Sequence, residues 1–214
     1  MFITLEGIEG SGKTTQARHM VDFFQTKGLD CILTREPGGT SIGTQIRSIV
    51  LDPASCHMDP ATELLLYVAD RVQHINELIR PALADGKVVI CDRYADATVV
   101  YQGFARGLSV ELIEQLHQLV LDKITPDMTL LLDLPPETGL ARAWKQIHNG
   151  SRTHQECRFE QEKLSFHQKV RDGYLKLAHR DPRRFRIIDA TATENEIRQE
   201  ILNEISRLPE NCYR

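Results

Sequence analysis

Short apolar runs alternate along the chain with longer stretches in which apolar positions recur every three or four residues. The short runs, at residues 2–6, 31–34, 88–92, 129–133 and 185–188, read as strands. Between them, helical spacing predicts helices over residues 14–24, 62–84, 110–121, 137–147, 159–178 and 194–208. Strand and helix alternating in this way predicts an α/β fold: five strands in a parallel sheet with helices on both faces. Ligands then belong at the carboxyl ends of the strands. Pro81 falls inside the longest helical pattern and should kink or end it, and Pro53 and Pro60 bracket a short loop before it. Residues 148–158 open with a polar stretch (HNGSRTHQEC) that interrupts two helical patterns, as a mobile lid or a plain surface turn would. The chain shows no internal repeat or low-complexity segment.

The 214 residues suit a single domain, taken here as 1–214 with a small lid, and are enough for a sizeable core. A hydrophobic share of 41%, a charged share of 26% and a net charge of −4 are those of a globular protein without a nucleic-acid or membrane partner. No apolar run approaches the roughly 20 residues of a membrane span, and Met1 leads straight into a strand, so a cytoplasmic location is expected. Cys31, Cys56, Cys91, Cys157 and Cys212 are scattered and odd in number, which favours reduced thiols. His148, His154, Cys157 and His167 are the nearest approach to a zinc set, but their spacing fits none of the paired-ligand patterns.

Chemistry concentrates at the first strand-to-helix junction. Gly7, Ile8, Glu9, Gly10, Ser11, Gly12, Lys13 and Thr14 match G-x-x-x-x-G-K-[ST], directly after a strand and opening a helix. Backbone N–H groups in such a loop, together with the positive end of the helix, face a polyphosphate. Lys13 would reach the β- and γ-phosphates, and the Thr14 hydroxyl would ligate Mg²⁺. Asp92 and Asp133 each end an apolar strand as a second magnesium ligand would. The neighbouring Arg93 favours Asp92, since an arginine beside it could grip a second phosphate bidentately, and leaves Asp133 a structural role. No N-K-x-D sequence occurs, so a GTP switch is disfavoured. Arginines stand instead at strand ends and loops: Arg35, Arg47, Arg71, Arg93, Arg152 and Arg158.

Several motifs together resemble the thymidylate kinases over nearly the whole chain: the P-loop with its preceding Leu5-Glu6, Arg35-Glu36-Pro37-Gly38-Gly39-Thr40, Asp92-Arg93-Tyr94, Tyr101-Gln102-Gly103, Leu132-Asp133-Leu134, and Ile188-Asp189-Ala190-Thr191. The resemblance implies transfer of a phosphoryl group from ATP to dTMP with Mg²⁺ as cofactor, on a P-loop kinase fold, in a homodimer. It implies that Glu9 approaches the sugar 3′-hydroxyl, that Arg93 holds the dTMP phosphate with Arg35 nearby, and that Arg71 meets the thymine edge. Tyr67 takes the place of a phenylalanine that stacks on the base, and lies four residues from Arg71 on one helix face. Tyr101 would crowd a 2′-hydroxyl, Gln102 would add a polar contact, and Thr98 keeps a hydroxyl beside Ala97 and Val100, where the family has serine and alanine. The turn from Asp189 to Thr193 is where related kinases enclose adenine. Some members carry an arginine after the acidic P-loop residue. Here that position is Gly10, so the charge that stabilises the transferring group is expected from the lid, at Arg152, with Arg158 and Arg142 as alternatives.

Overall fold

The computed structural model describes residues 1–151 and 153–208. β1 (Phe2–Glu6) runs into the P-loop and α1 (Lys13–Thr26); β2 (Cys31–Arg35), α2 (Ser41–Val50) and α3 (Pro60–His74) follow. Wider π turns at Ile75–Ile79 lead to α4 (Arg80–Ala84) and β3 (Val88–Asp92). Next come α5 (Ala95–Thr98), a second π stretch at Val99–Ala105, α6 (Val110–Val120), β4 (Met128–Asp133) and α7 (Pro136–His148). After a short turn at His154–Glu156, the described residues close with α8 (Leu164–Arg180), β5 (Phe185–Asp189) and α9 (Glu194–Ser206).

All five described strands are parallel, in the order β2-β3-β1-β4-β5. Their near-continuous apolar runs follow from this, because a parallel sheet covered on both faces must bury both sets of alternating side chains. Phe2 packs on one face with Val89, Cys91, Ile75 and Ile79. Ile3 and Leu5 pack on the other with Val88, Ile90 and Leu130. The register sets Leu5 beside Asp92, so Glu6, the last residue of β1, and Arg93, the first after β3, emerge together at the same edge.

Sequence signals account for most boundaries. Asp59 caps α3 with Pro60 at its first position, Thr40 caps α2 through the Gly43 amide, and Thr193 and Glu196 form a reciprocal box at the start of α9. The pattern at 62–84 is not one α-helix. Pro81 has no N–H to give and its ring crowds the preceding turn, and the chain passes through π turns before α4 resumes. The helix expected from residue 159 begins at Leu164. Phe159 lies in the preceding turns instead, edge-on to Tyr101 with ring centroids 5.3 Å apart. A hydrophobic residue buried by a tertiary partner had there passed for part of a helical stripe. The helix at Ser41–Val50 was not among those singled out.

Two glycines fix how closely the P-loop meets α7. Gly10 is left-handed (φ 70), and a Cβ on it would lie 2.0 Å from the Gly139 carbonyl oxygen. A Cβ on Gly139 would in turn lie 2.5 Å from the Glu9 carbonyl oxygen. This contact leaves no room for an arginine at position 10 unless α7 moves away, which gives the absence of a P-loop arginine a steric reason. Gly139→Ala should destabilise the fold by about 1–3 kcal/mol. At about 2–4 °C per kcal/mol, a thermal melt would resolve that loss, and an unchanged Tm would show that the loop gives way freely.

Candidate active site

The P-loop turns at Gly12, whose left-handed backbone (φ 92) stands at the N-cap of α1. Lys13 folds back over the loop, its Nζ donating to the carbonyl oxygens of Gly7 (3.0 Å) and Ile8 (2.8 Å) and to Ser11 Oγ (3.1 Å). Burial, and after it the charge of Arg93, holds the Lys13 ammonium down to about 8. Beside it, Thr14 Oγ1 donates to Asp92 Oδ2 at 2.8 Å. A hydroxyl and a carboxylate meeting at the phosphate end of the loop are hard oxygen donors of the kind Mg²⁺ takes, with the rest of its shell left to water and phosphates. Asp133 is committed elsewhere, to a two-pronged ion pair with Arg171 of α8, both contacts 2.8 Å. The strand-end aspartate beside the P-loop threonine is thus Asp92.

Glu9 lines the same cleft as Lys13 and is nearly buried. Its Oε1 accepts from Arg93 Nη2 (3.0 Å) and the Tyr101 hydroxyl (2.6 Å), and its Oε2 meets His167 Nδ1 at 3.1 Å. Burial would raise its pKa, but the His167 hydrogen bond and the Arg93 charge outweigh it and hold the carboxyl well below the usual range. Arg93 occupies the left-handed region (φ 70), uncommon outside glycine, asparagine and aspartate, and its guanidinium lies 4.8 Å over the Tyr101 ring. Glu6, at the end of β1, is buried; desolvation first and Asp96 second push it up to about 7.

The other predicted residues fall around this cleft. Arg35, Tyr67, Arg71, Thr98, Tyr101 and Gln102 all line the cleft with Lys13 and Thr14. Arg35 is exposed and Tyr67 half-buried. The Thr98 hydroxyl is buried with no partner among the described residues, the orphaned polar atom expected where a substrate group completes the contact. Gln102 donates to Glu63 Oε1 at 2.8 Å. Arg71 is buried and heavily engaged: Nε to Glu36 (2.8 Å), Nη2 to the Tyr94 carbonyl (3.1 Å) and Nη1 to His117 Nε2 (3.0 Å). Burial and the Arg71 charge push His117 down to about 3, so its ring is neutral and accepts that bond.

Of the arginines considered for the lid, Arg152 lies outside the described residues. Arg158 is buried and turned from the cleft, its Nη2 on Glu63 Oε2 (2.5 Å) and its Nε on the Val50 carbonyl (2.6 Å). Arg142 Nη1 donates to the Ala190 carbonyl (2.7 Å) in the loop after β5. The zinc alternative does not assemble. His167 turns to Glu9, the Cys157 thiol to the His154 carbonyl, and no group of three or more metal-ligating side chains gathers among the described residues.

The sequence reading passed over Tyr174 and Asp70, met Glu6 only as part of the motif before the P-loop, and met His167 only in the zinc alternative. Tyr174 and His167 lie seven residues apart on α8, a spacing that sets both on one face, but nothing in the sequence says that this face meets the P-loop. Arg47 was noted only as a loop arginine. It ties α2 to the segment after α7 through Glu156 (3.0 and 2.6 Å) and to the Pro37 carbonyl (3.0 Å).

A parallel sheet whose first strand runs into a P-loop, with an arginine just past the neighbouring strand paired to a carboxylate of the loop in the same cleft as Lys13, has the form of a P-loop phosphotransferase. The comparisons narrow that class. The model of the family described as thymidylate kinase matches residues 5–201. A thymidylate kinase of Desulfosudis oleivorans is 54% identical over 98% of either chain, and one of Geobacter sulfurreducens is 49% identical over 96% of this chain and 98% of its own. The crystal structure of thymidylate kinase from Ehrlichia chaffeensis superposes with a TM-score of 0.76 at 32% identity, over 96% of this chain and 98% of that one. The chain belongs to the thymidylate kinase family, on the P-loop kinase fold.

Asp70 of α3 gives a pH test of the buried charge cluster under the loop at residues 36–40. Its Oδ1 accepts from the Gly38 amide (3.1 Å), its Oδ2 has no hydrogen-bond partner among the described residues, and burial, with Glu36 second, pushes it up to about 6 from the ordinary 3.8. The folded chain therefore binds this proton more tightly than the unfolded one. The associated stability is complete below pH 3.8 and is lost as pH rises through about 6. Asp70→Asn should raise Tm above that of the wild type at neutral pH and leave it nearly unchanged at about pH 4. An equal effect at both values would show that Asp70 is not titrating.

Proposed function

We propose that this chain transfers the γ-phosphoryl group of ATP to dTMP, giving dTDP, and that the Glu9, Arg93 and Tyr101 cluster is its acceptor site. The observation that carries this reading is the fixed cation at Arg93, held between a carboxylate and an aromatic face and opening on the same cleft as Lys13. Phosphoryl transfer needs little covalent work from a protein. It needs two polyanions brought into line and their charge neutralised. Lys13 and the P-loop amides would take the donor phosphates, and Arg93 and Arg35 the acceptor phosphate. Glu9 would orient the sugar 3′-hydroxyl. Tyr67, Arg71, Thr98 and Gln102 would line the base, with Tyr101 beneath the sugar. Mg²⁺, held by Thr14 and Asp92, would neutralise the donor phosphates.

The segment at 148–158 is proposed as the lid that excludes water during transfer. Its catalytic cation is assigned to Arg152, since Arg142 and Arg158 are engaged by Ala190 and Glu63. A homodimer is supported by an apolar face: Leu65 and Val72 of α3 and Leu112 and Leu119 of α6 are exposed on helices that touch each other. A cytoplasmic location is supported by the free thiols of Cys31, Cys56, Cys91 and Cys157.

The deciding assay offers ATP and Mg²⁺ with dTMP, dUMP, dCMP, AMP or thymidine and follows ADP release. ADP should form chiefly with dTMP, and acceptor-independent hydrolysis would overturn the assignment. Arg152→Ala should lower kcat more than about tenfold with little change in dTMP affinity, whereas near-wild-type turnover would remove Arg152 from the mechanism. Leu65→Asp combined with Leu119→Asp should shift the protein from dimer to monomer in light scattering, and an unshifted dimer would move the interface elsewhere.

A further inference from the structure

We infer that Glu6 and Tyr174 are positioning residues for the acceptor phosphate, holding the Arg93 guanidinium through a buried relay from β1 to α8. The inference rests on the reading of Arg93 as the phosphate-binding arginine. The relay is continuous: the Tyr174 hydroxyl donates to Glu6 Oε2 at 2.6 Å, and Arg93 Nη1 donates to the same hydroxyl at 3.1 Å. Glu6 Oε1 meanwhile accepts from the amide of Tyr94, the residue after Arg93, at 2.8 Å. One carboxylate thus restrains both the left-handed backbone at Arg93 and the tip of its side chain.

The direction of these bonds is forced. A guanidinium has no acceptor, so the Tyr174 oxygen must present a lone pair to Arg93 and turn its single proton towards Glu6. Only an acceptor at Glu6 Oε2 keeps it so turned. With Glu9 on Nη2, Tyr174 on Nη1 and the Tyr101 ring against its face, the guanidinium is held in one orientation, from which its N–H groups would be aimed at a ligand. Glu6 and Tyr174 are both essentially inaccessible, and neither lines the cleft, so they act on the ligand only through Arg93.

Two variants keep shape and alter only the relay. Glu6→Gln can still accept from the Tyr94 amide, but it offers the Tyr174 hydroxyl an N–H and reverses the donor order. Tyr174→Phe keeps the ring and removes the hydroxyl. Each should raise KM for dTMP about tenfold, the scale of a hydrogen bond to a charged group, with a smaller change in kcat and none in KM for ATP. The double variant should be no worse than Tyr174→Phe alone, because both changes cut one relay. Thymidine, which lacks the phosphate, should compete with dTMP as tightly against Tyr174→Phe as against wild type. Equal losses of thymidine and dTMP affinity, a matching rise in KM for ATP, or wild-type KM for dTMP in both variants would each overturn the inference. Arg93→Lys separates the two levels of the argument. If it leaves KM for dTMP unchanged, the acceptor-site reading itself falls; if it raises KM while Glu6→Gln and Tyr174→Phe do not, only the relay falls. Circular dichroism melts confirm that each variant compared is folded.

Discussion

Two polyanions must share one cleft, and the protein meets this repulsion with cations that are themselves held by buried carboxylates. Arg93 and Glu9 form the centre of that arrangement, with side chains 18% and 7% exposed. A pair this deeply placed gains little net stability, because desolvation of both charges offsets most of their attraction. Its value is geometric. Removing either partner leaves an uncompensated charge at a cost of about 3–5 kcal/mol, so neither can leave its place while the other remains. The P-loop carries Glu9 and Arg93 directly follows β3, and the pair therefore locks the loop to the end of the neighbouring strand.

The same logic recurs around it. Arg71 is ordered by Glu36 and a neutral His117, and Arg158 by Glu63, which also serves Gln102 and Arg106. Each buried cation has hydrogen-bond acceptors on more than one side, the condition under which burying charge is tolerable. Lys13 is the contrast. Its partners are two carbonyls and a hydroxyl rather than a carboxylate, and burial depresses its pKa. The arginines are thus held by buried carboxylates, whereas the lysine is held by neutral groups of its own loop.

One of the two π stretches sits where this positioning is done. The first, at Ile75–Ile79, precedes Pro81 and packs into the core, whereas the second, at Val99–Ala105, contains Tyr101 and Gln102. A π segment rotates the side chains after it relative to an α-helix, and here it accompanies Tyr101 reaching Glu9 while Gln102 reaches Glu63. Periodicity in the sequence could not have indicated this, because a helix of ordinary pitch was the only template against which residues 95–105 could be read.

The five strands, their parallel pairing class and the P-loop were legible in the sequence, since these depend on local apolar runs, glycines and a lysine and threonine at fixed spacing. Most residues that line the cleft were also named beforehand, through motifs specific enough to carry a resemblance. The folded chain settled how those residues are held: that Asp133 pairs with Arg171, that Arg158 is turned from the cleft, that α7 packs against Gly10, and that α8 reaches back to Glu6 and Glu9. These contacts join segments far apart in the chain. No local pattern encodes which buried carboxylate meets which cation, because that choice is settled only when the sheet brings their strand ends and α8 to one edge.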